Sequence, residues 1–260
     1  MIRTRSGEVV YYEFESMHSL PKLRCTVLTR LGGVSLAPFA SLNVGHFVGD
    51  DPAAVQINER RVFSVLGVQE HQIVTPHQVH GSAVRRVGRA QCGSIIPGTD
   101  GLVTDERDVA LMLRFADCVP VLLYDATHGA VGLLHAGWRG WAAGVVANAL
   151  RLMYDEFGTR PEHVLAGIGP SIGPCCYTVG QDVIAEVKRV LGNASEVLTP
   201  VTSDSSRLDL PAAVRIHLES HGVARVELSG ICTSCSRHEF FSHRAERGRT
   251  GRFAVTAMLC

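Results

Sequence analysis

Three side chains with metal-binding chemistry stand beside glycine-rich turns. They are His80 in Gln78-Val79-His80-Gly81, Cys118 in Ala116-Asp117-Cys118-Val119-Pro120, and His135 in His135-Ala136-Gly137-Trp138-Arg139-Gly140. Two imidazoles and one thiolate fill three positions of a tetrahedral zinc and leave the fourth for water or substrate, the pattern of a catalytic site. The glycines and apolar residues around each of them imply a walled cleft rather than open surface. Cys118 and His135 also suit a thiolate–imidazole pair for covalent hydrolysis, and spacing alone does not separate the two readings. Arg139 follows a strand end and opens a helix, where free N–H groups and a formal charge favour an anion such as phosphate. Asp117 can act as an acid/base or support a neighbouring ligand, while its plain alternative is a strand-end residue capping a turn.

The elements that must position these residues follow from the local pattern. Val119–Asp125 and Ala130–Ala136 flank the short turn Ala126-Thr127-His128-Gly129, which predicts a hairpin. If Asp125 pairs with Ala130, Cys118 faces Gly137, and His135 lies two residues along on the same sheet face. Such diagonal neighbours are ~7–8 Å apart at the backbone, within reach of one ion. A slip of one residue would place them on opposite faces. In Thr75-Pro76-His77-Gln78-Val79-His80 the proline disfavours helix at Thr75, and an extended path sends His77 and His80 to opposite sides. Only one of the two should reach a common site, and spacing leaves the choice open.

Further strand character runs over 24–28, 72–76, 109–115, 164–167, 225–230 and 252–259, and helices are expected over 52–66, 140–157, 182–191 and 211–220. Strands and helices do not alternate strictly, so a purely parallel sheet is excluded. The expected fold is α+β, a single domain over residues 1–260 with mixed β-sheet(s) flanked by helices.

The 260 residues are 46% hydrophobic and 19% charged, within the range of a globular chain that buries a sizeable core. Lys+Arg and Asp+Glu balance at 25 each, which argues against nucleic acid or an anionic membrane as the partner. No signal-peptide or membrane-spanning run is visible, so a cytoplasmic, monomeric or homodimeric protein is expected. In that reducing setting the eight cysteines read as metal ligands or reactive thiols, not disulfides. The vicinal pair Cys175-Cys176 and Cys232-Thr-Ser-Cys235 match no finger spacing; packed thiols near the cleft are the favoured reading, with a second, structural zinc as the alternative. The tail with Arg244, Arg247, Arg249 and Arg252 suits either an anion or a solvated face.

Taken together, the motifs become recognisable. Thr29-Arg-Leu-Gly-Gly-Val-Ser35, Ser41-Leu-Asn-Val-Gly45 and His77-Gln-Val-His-Gly81 are followed by Gly98-Thr-Asp-Gly-Leu-Val-Thr104 and Ala116-Asp-Cys-Val-Pro120. His135-Ala-Gly-Trp-Arg-Gly140, Gly169-Pro-Ser-Ile-Gly173 and Phe240-Phe241-Ser242 complete the order. From about Thr29 to the C-terminus the chain resembles the bacterial purine nucleoside phosphorylase family once called multicopper polyphenol oxidase or laccase-domain proteins. The resemblance implies zinc held by His80, Cys118 and His135, which selects His80 over His77. It also implies phosphorolysis of adenosine, inosine and methylthioadenosine, adenosine deamination, and a link to amide hydrolysis in peptidoglycan precursor editing. Phe115 departs from the family's usual threonine, and His243 from its usual tyrosine.

A three-ligand zinc suits deamination and amide hydrolysis alike, since it acidifies a water. Phosphorolysis also requires a phosphate clamp, for which Arg139 is the first candidate, with Arg30 and Arg244 behind it. A copper-dependent polyphenol oxidase is the weaker alternative, because the chain lacks the clustered His-x-His pairs that further coppers need. One copper could still enter a His₂Cys site adventitiously.

Overall fold

Alternation along the central strands decides the layering. In Ala110–Phe115 the side chains of Leu111, Leu113 and Phe115 join one core, while Ala110 and Met112 join another. In Val119–Asp125, Leu122 and Tyr124 point into the first of these cores, and Val119, Val121 and Leu123 into a third. Each strand therefore buries both faces, which explains why they read as nearly continuous apolar runs. The first core lies between two sheets, and the other two lie on their outer faces beneath helices.

The structure, a computed structural model, describes residues 1–260. One sheet has seven strands in the order Ile2–Ser6, Val9–Glu13, Leu23–Leu28, Phe253–Leu259, Ala110–Phe115, Ile73–Pro76 and Ile95–Ile96. The second has six, in the order Arg225–Leu228, Val164–Ile168, Val119–Asp125, Ala130–Ala136, Gly101–Thr104 and Val84–Arg86. A small sheet of three strands, Thr178–Gly180, Ser205–Leu208 and Leu198–Thr202, stands beside them. Most pairs are antiparallel. Ile73–Pro76 with Ala110–Phe115 and Val164–Ile168 with Arg225–Leu228 are parallel, so both large sheets are mixed. This is the α+β domain with mixed sheets flanked by helices that the sequence predicts.

Helix α1 (Pro52–Leu66) covers the outer face of the seven-stranded sheet. The Asp51 side chain caps its first turn by accepting the Ala53 N–H, and Gly67, in the left-handed region, ends it. The single helix expected over 140–157 is two: α2 (Trp138–Ala142) and α3 (Val145–Phe157). Gly144 lies between them at φ +91°, a conformation no helix interior accepts and glycine adopts at no steric cost. Helices α3, α4 (Gln181–Leu191) and α5 (Leu210–Ser220) cover the outer face of the six-stranded sheet. No helix is long and apolar enough to cross a membrane.

The helix layer contains one pH-sensitive residue. His217 on α5 meets the Trp141 ring edge-on at 6.0 Å between centroids, and its buried Nδ1 has no hydrogen-bond partner. Burial, then the neighbouring His221, pushes its pKa down to about 4. An unfolded histidine takes up a proton near ~6.5, whereas the folded one refuses it until the pH approaches its own lower value. The contribution to stability is therefore intact above pH ~6.5 and is lost as the pH falls toward about 4. Chemical denaturation across that window should show a steeper loss of stability in wild type than in His217→Leu; equal slopes would contradict this assignment.

Candidate active site

The hairpin adopts the register expected for it. Ala130 pairs with Asp125, Leu133 with Leu122, His135 with Pro120 and Ala136 with Val119. Cys118 and His135 thus share the face of the six-stranded sheet that looks toward the other sheet, at the end of both strands. His80 arrives from the loop after Ile73–Pro76, which is not extended: His80 itself sits at φ +60°, in the left-handed region. Asp117, immediately before Cys118, has φ +90°. Two non-glycine residues in this region, both at one site, are strain that the surroundings must hold.

A single carboxylate holds the His80 turn. Asp100 is fully buried. Its Oδ1 accepts from the His80 amide at 2.9 Å and from His135 Nδ1 at 2.9 Å, and its Oδ2 accepts from the amides of Gly81 at 2.7 Å and Val79 at 3.1 Å. Its main-chain carbonyl accepts the His135 N–H at 2.7 Å. Burial alone would raise the Asp100 pKa; hydrogen bonds from His135 and the Gly81 and Val79 amides outweigh it and hold the group below its ordinary range. With Nδ1 donating to a carboxylate, His135 keeps Nε2 for the cluster, the usual way a metal-binding imidazole is oriented.

The ligand atoms of His80, Cys118 and His135 all lie within 4.8 Å of one another, and the two imidazoles meet edge-on at 4.8 Å between centroids. Gly137 packs over them: a Cβ there would stand 3.0 Å from Cys118 Sγ and 3.3 Å from His80 Cδ2. Burial would raise the Cys118 pKa, but His135 and then His80 bring it down to about 6. Burial would lower that of His135, but the Cys118 charge and the Asp100 hydrogen bond lift it to about 9. The thiol is therefore a thiolate at neutral pH, the form that binds metals and the form that attacks carbonyls. The arrangement is compatible with metal coordination. His77 lines the same cavity but stands outside the trio.

That cavity is about 810 Å³, within the usual range for a small-molecule site. Arg139, Arg244 and Asp117 line it together with the trio. Arg139 lies over the Trp138 ring at 4.4 Å and Arg244 over the Tyr177 ring at 5.0 Å. Both Asp117 oxygens have partners: Oδ1 accepts from Thr233 Oγ1 and Oδ2 from the Arg244 amide, each at 2.7 Å. The structure does not bring Arg30 to this wall. Its guanidinium donates to the carbonyls of Ala40 and Arg237 and to Glu246 Oε1, and packs over Phe241. Two residues of the site, Asp100 behind the trio and Arg252 on the cavity wall, were not singled out as site residues from sequence. Asp100 sits in the glycine-flanked motif Gly98-Thr-Asp-Gly, and Arg252 was grouped with the basic tail.

The family model described as multi-copper polyphenol oxidoreductase laccase matches residues 24–260. The chain belongs to this family. Among its curated relatives, purine nucleoside phosphorylase YlmD of Geobacillus stearothermophilus is 42% identical over 234 residues, covering 86% of this chain and 85% of that protein. A purine nucleoside phosphorylase of Bacteroides thetaiotaomicron is 34% identical, covering 95% of each. The crystal structure of the Bacillus licheniformis hypothetical protein YfiH superposes with a TM-score of 0.92 at 34% identity, over 98% of this chain and 97% of that one. The laccase-family fold therefore extends over essentially the whole length of the chain described here.

Proposed function

We propose that the chain is a zinc-dependent enzyme of purine nucleosides. It would cleave adenosine, inosine and methylthioadenosine with phosphate to the free base and (methylthio)ribose 1-phosphate, with adenosine deamination as a second activity. One observation carries this reading. The cavity that holds His80, Cys118 and His135 is also lined by Arg139, Arg244 and Arg252, none of which has a carboxylate within ion-pair distance. Arg114, on the same wall, is paired with Glu59 at 2.9 Å, and Arg30 elsewhere with Glu246. Three uncompensated guanidinium groups facing one chamber favour an anion. The names of the relatives, purine nucleoside phosphorylases in both cases, support phosphate as that anion.

His80, Cys118 and His135 would hold the zinc, which supplies Lewis acidity beside the bound substrate. Arg139, stacked on Trp138, and Arg244, stacked on Tyr177 with Nη1 donating to the Thr178 carbonyl at 3.0 Å, would contact the phosphate oxygens. Arg252 is fixed by the carbonyls of Thr250 and Gly251. With both oxygens engaged, Asp117 holds Arg244 and the Thr233 segment in place, a positioning role. Phe47 and Ile95 line the mouth while 91% and 62% exposed, apolar surface that a purine ring would cover.

Product analysis with adenosine tests the reading. Phosphate-dependent adenine and ribose 1-phosphate are the expected products, with inosine forming in the absence of phosphate as the deaminase activity. If zinc-loaded protein yields neither, the purine reading fails, and amide hydrolysis at the Cys118–His135 pair takes its place.

A further inference from the structure

Cys175 and Cys176 follow the Gly169–Gly173 turn, and Cys232 and Cys235 lie on the loop after Arg225–Leu228. The fold brings all four sulfurs within 4.8 Å of one another. Cys235 Sγ is 3.5 Å from Cys175 Sγ and 3.4 Å from Cys176 Sγ. Four thiolates at ~2.3 Å around a tetrahedral zinc are separated by about 3.8 Å, close to the spacing observed. A disulfide needs sulfurs ~2.05 Å apart, and an iron–sulfur cluster spreads its cysteines over several irons. Cys235 is equidistant from two partners, so any one disulfide would leave two thiols crowded and unpaired, whereas one ion satisfies all four.

Packing does not account for the cluster. A free cysteine is normally a small buried hydrophobe, yet Cys175 and Cys235 are exposed and Cys176 and Cys232 half-buried. The structure packs the four thiols together as the sequence reading expects, and their exposure favours the structural zinc that the reading kept as its alternative. The Gly173 N–H donates to Cys232 Sγ at 3.3 Å, the kind of main-chain contact that supports a bound thiolate. A Cβ at Gly173 would meet Cys232 Cβ at 3.3 Å and Cys175 Sγ at 3.5 Å, so the turn closes directly on the sulfurs.

We propose that Cys175, Cys176, Cys232 and Cys235 bind one tetrahedral zinc ion that clamps the loop after Arg225–Leu228 to the segment carrying Ile172 and Tyr177, which lines the cavity. Four protein ligands leave no open position, so this second site is structural, unlike the His₂Cys trio. The loops it joins are otherwise linked by few bonds. The Thr233 N–H donates to the Ser171 carbonyl at 3.0 Å and the Ser171 N–H to the Ile231 carbonyl at 3.2 Å, while the Ile172 N–H ties the first loop to the Asp117 carbonyl at 2.9 Å. Ile172 and Tyr177 line the cavity, and Thr233 holds Asp117, so the ion fixes the wall that carries Arg244. Binding exchanges thiol protons for the metal and involves no redox change.

The Cys118→Ala variant isolates this site from the cavity trio. Purified under reducing conditions and loaded with zinc, it should retain one ion per chain by elemental analysis, and Cys118→Ala/Cys175→Ser/Cys235→Ser should retain none. X-ray absorption of the Cys118→Ala protein should show a shell of sulfur alone at ~2.3 Å, and cobalt replacement should give tetrahedral thiolate charge-transfer bands. The absorption measurement needs no cysteine-cluster variant, so misfolding of the triple variant does not protect the proposal. A mixed nitrogen–sulfur shell, absence of metal from Cys118→Ala, or a disulfide among the four in reduced protein would overturn it.

Discussion

Cys118→Ala protein should fold, lose the metal of the His₂Cys trio and turn over nucleosides at least about 100-fold more slowly, beyond the usual cost of losing a supporting residue. The sulfur lies just before a strand on the cavity wall and touches only the margin of the inter-sheet core, so the space its removal leaves opens into the cavity. Gly137, whose missing Cβ leaves room for that sulfur, would simply face a smaller neighbour. Circular dichroism should therefore match wild type, and unfolding should match that of metal-free wild type, while metal content and turnover do not. Full activity in this variant would exclude both the zinc and the thiolate mechanisms at once, because each requires the same Sγ.

Asp100→Asn should weaken zinc binding at the trio by about 10–100-fold. The wild-type carboxylate accepts from three amides and from His135 Nδ1. A carboxamide has one accepting oxygen, so its NH₂ must confront either the Val79 and Gly81 amides or the His80 amide and His135. Either choice leaves buried donors unsatisfied at about 1–3 kcal/mol each and frees the strained His80 turn. Competition against a chromogenic chelator measures the affinity, and a lowered unfolding midpoint should accompany its loss. Unchanged affinity would reduce Asp100 to a residue that stabilises the loop without orienting the ligands.

How far the site was legible in sequence depends on how local each relationship is. The Cys118–His135 diagonal was readable because one short turn fixes the register of a hairpin whose two strands are both apolar. Asp100 was not, since its value lies in donors from a loop about twenty residues away in sequence that only tertiary folding presents. Arginines show the same limit. Arg30 and Arg252 look alike in sequence, but one forms an ion pair with Glu246 while the other is tied only to the carbonyls of Thr250 and Gly251. In the fold, α1 carries its proline, aspartate cap and terminal glycine in the sequence and was placed from 52 to 66. The strand Ile2–Ser6 is not legible in sequence because its edge position exposes it and admits charges where a central strand would be apolar, and Val9–Glu13, paired next to it, keeps only Val9 and Val10 buried.

The division of the trio between one hairpin and one distant loop gives the chain an order of assembly. Cys118 and His135 meet as soon as a tight turn closes, an event of about 1–10 μs in isolated hairpins. His80 comes into place only when the Asp100 strand docks against that hairpin, a non-local pairing that carries a larger loop-closure entropy. Folding thus brings a thiolate and one imidazole together early and the second imidazole late. Metal captured by the hairpin would remain exchangeable until the sheet is complete, and commitment to one ion would coincide with the end of folding.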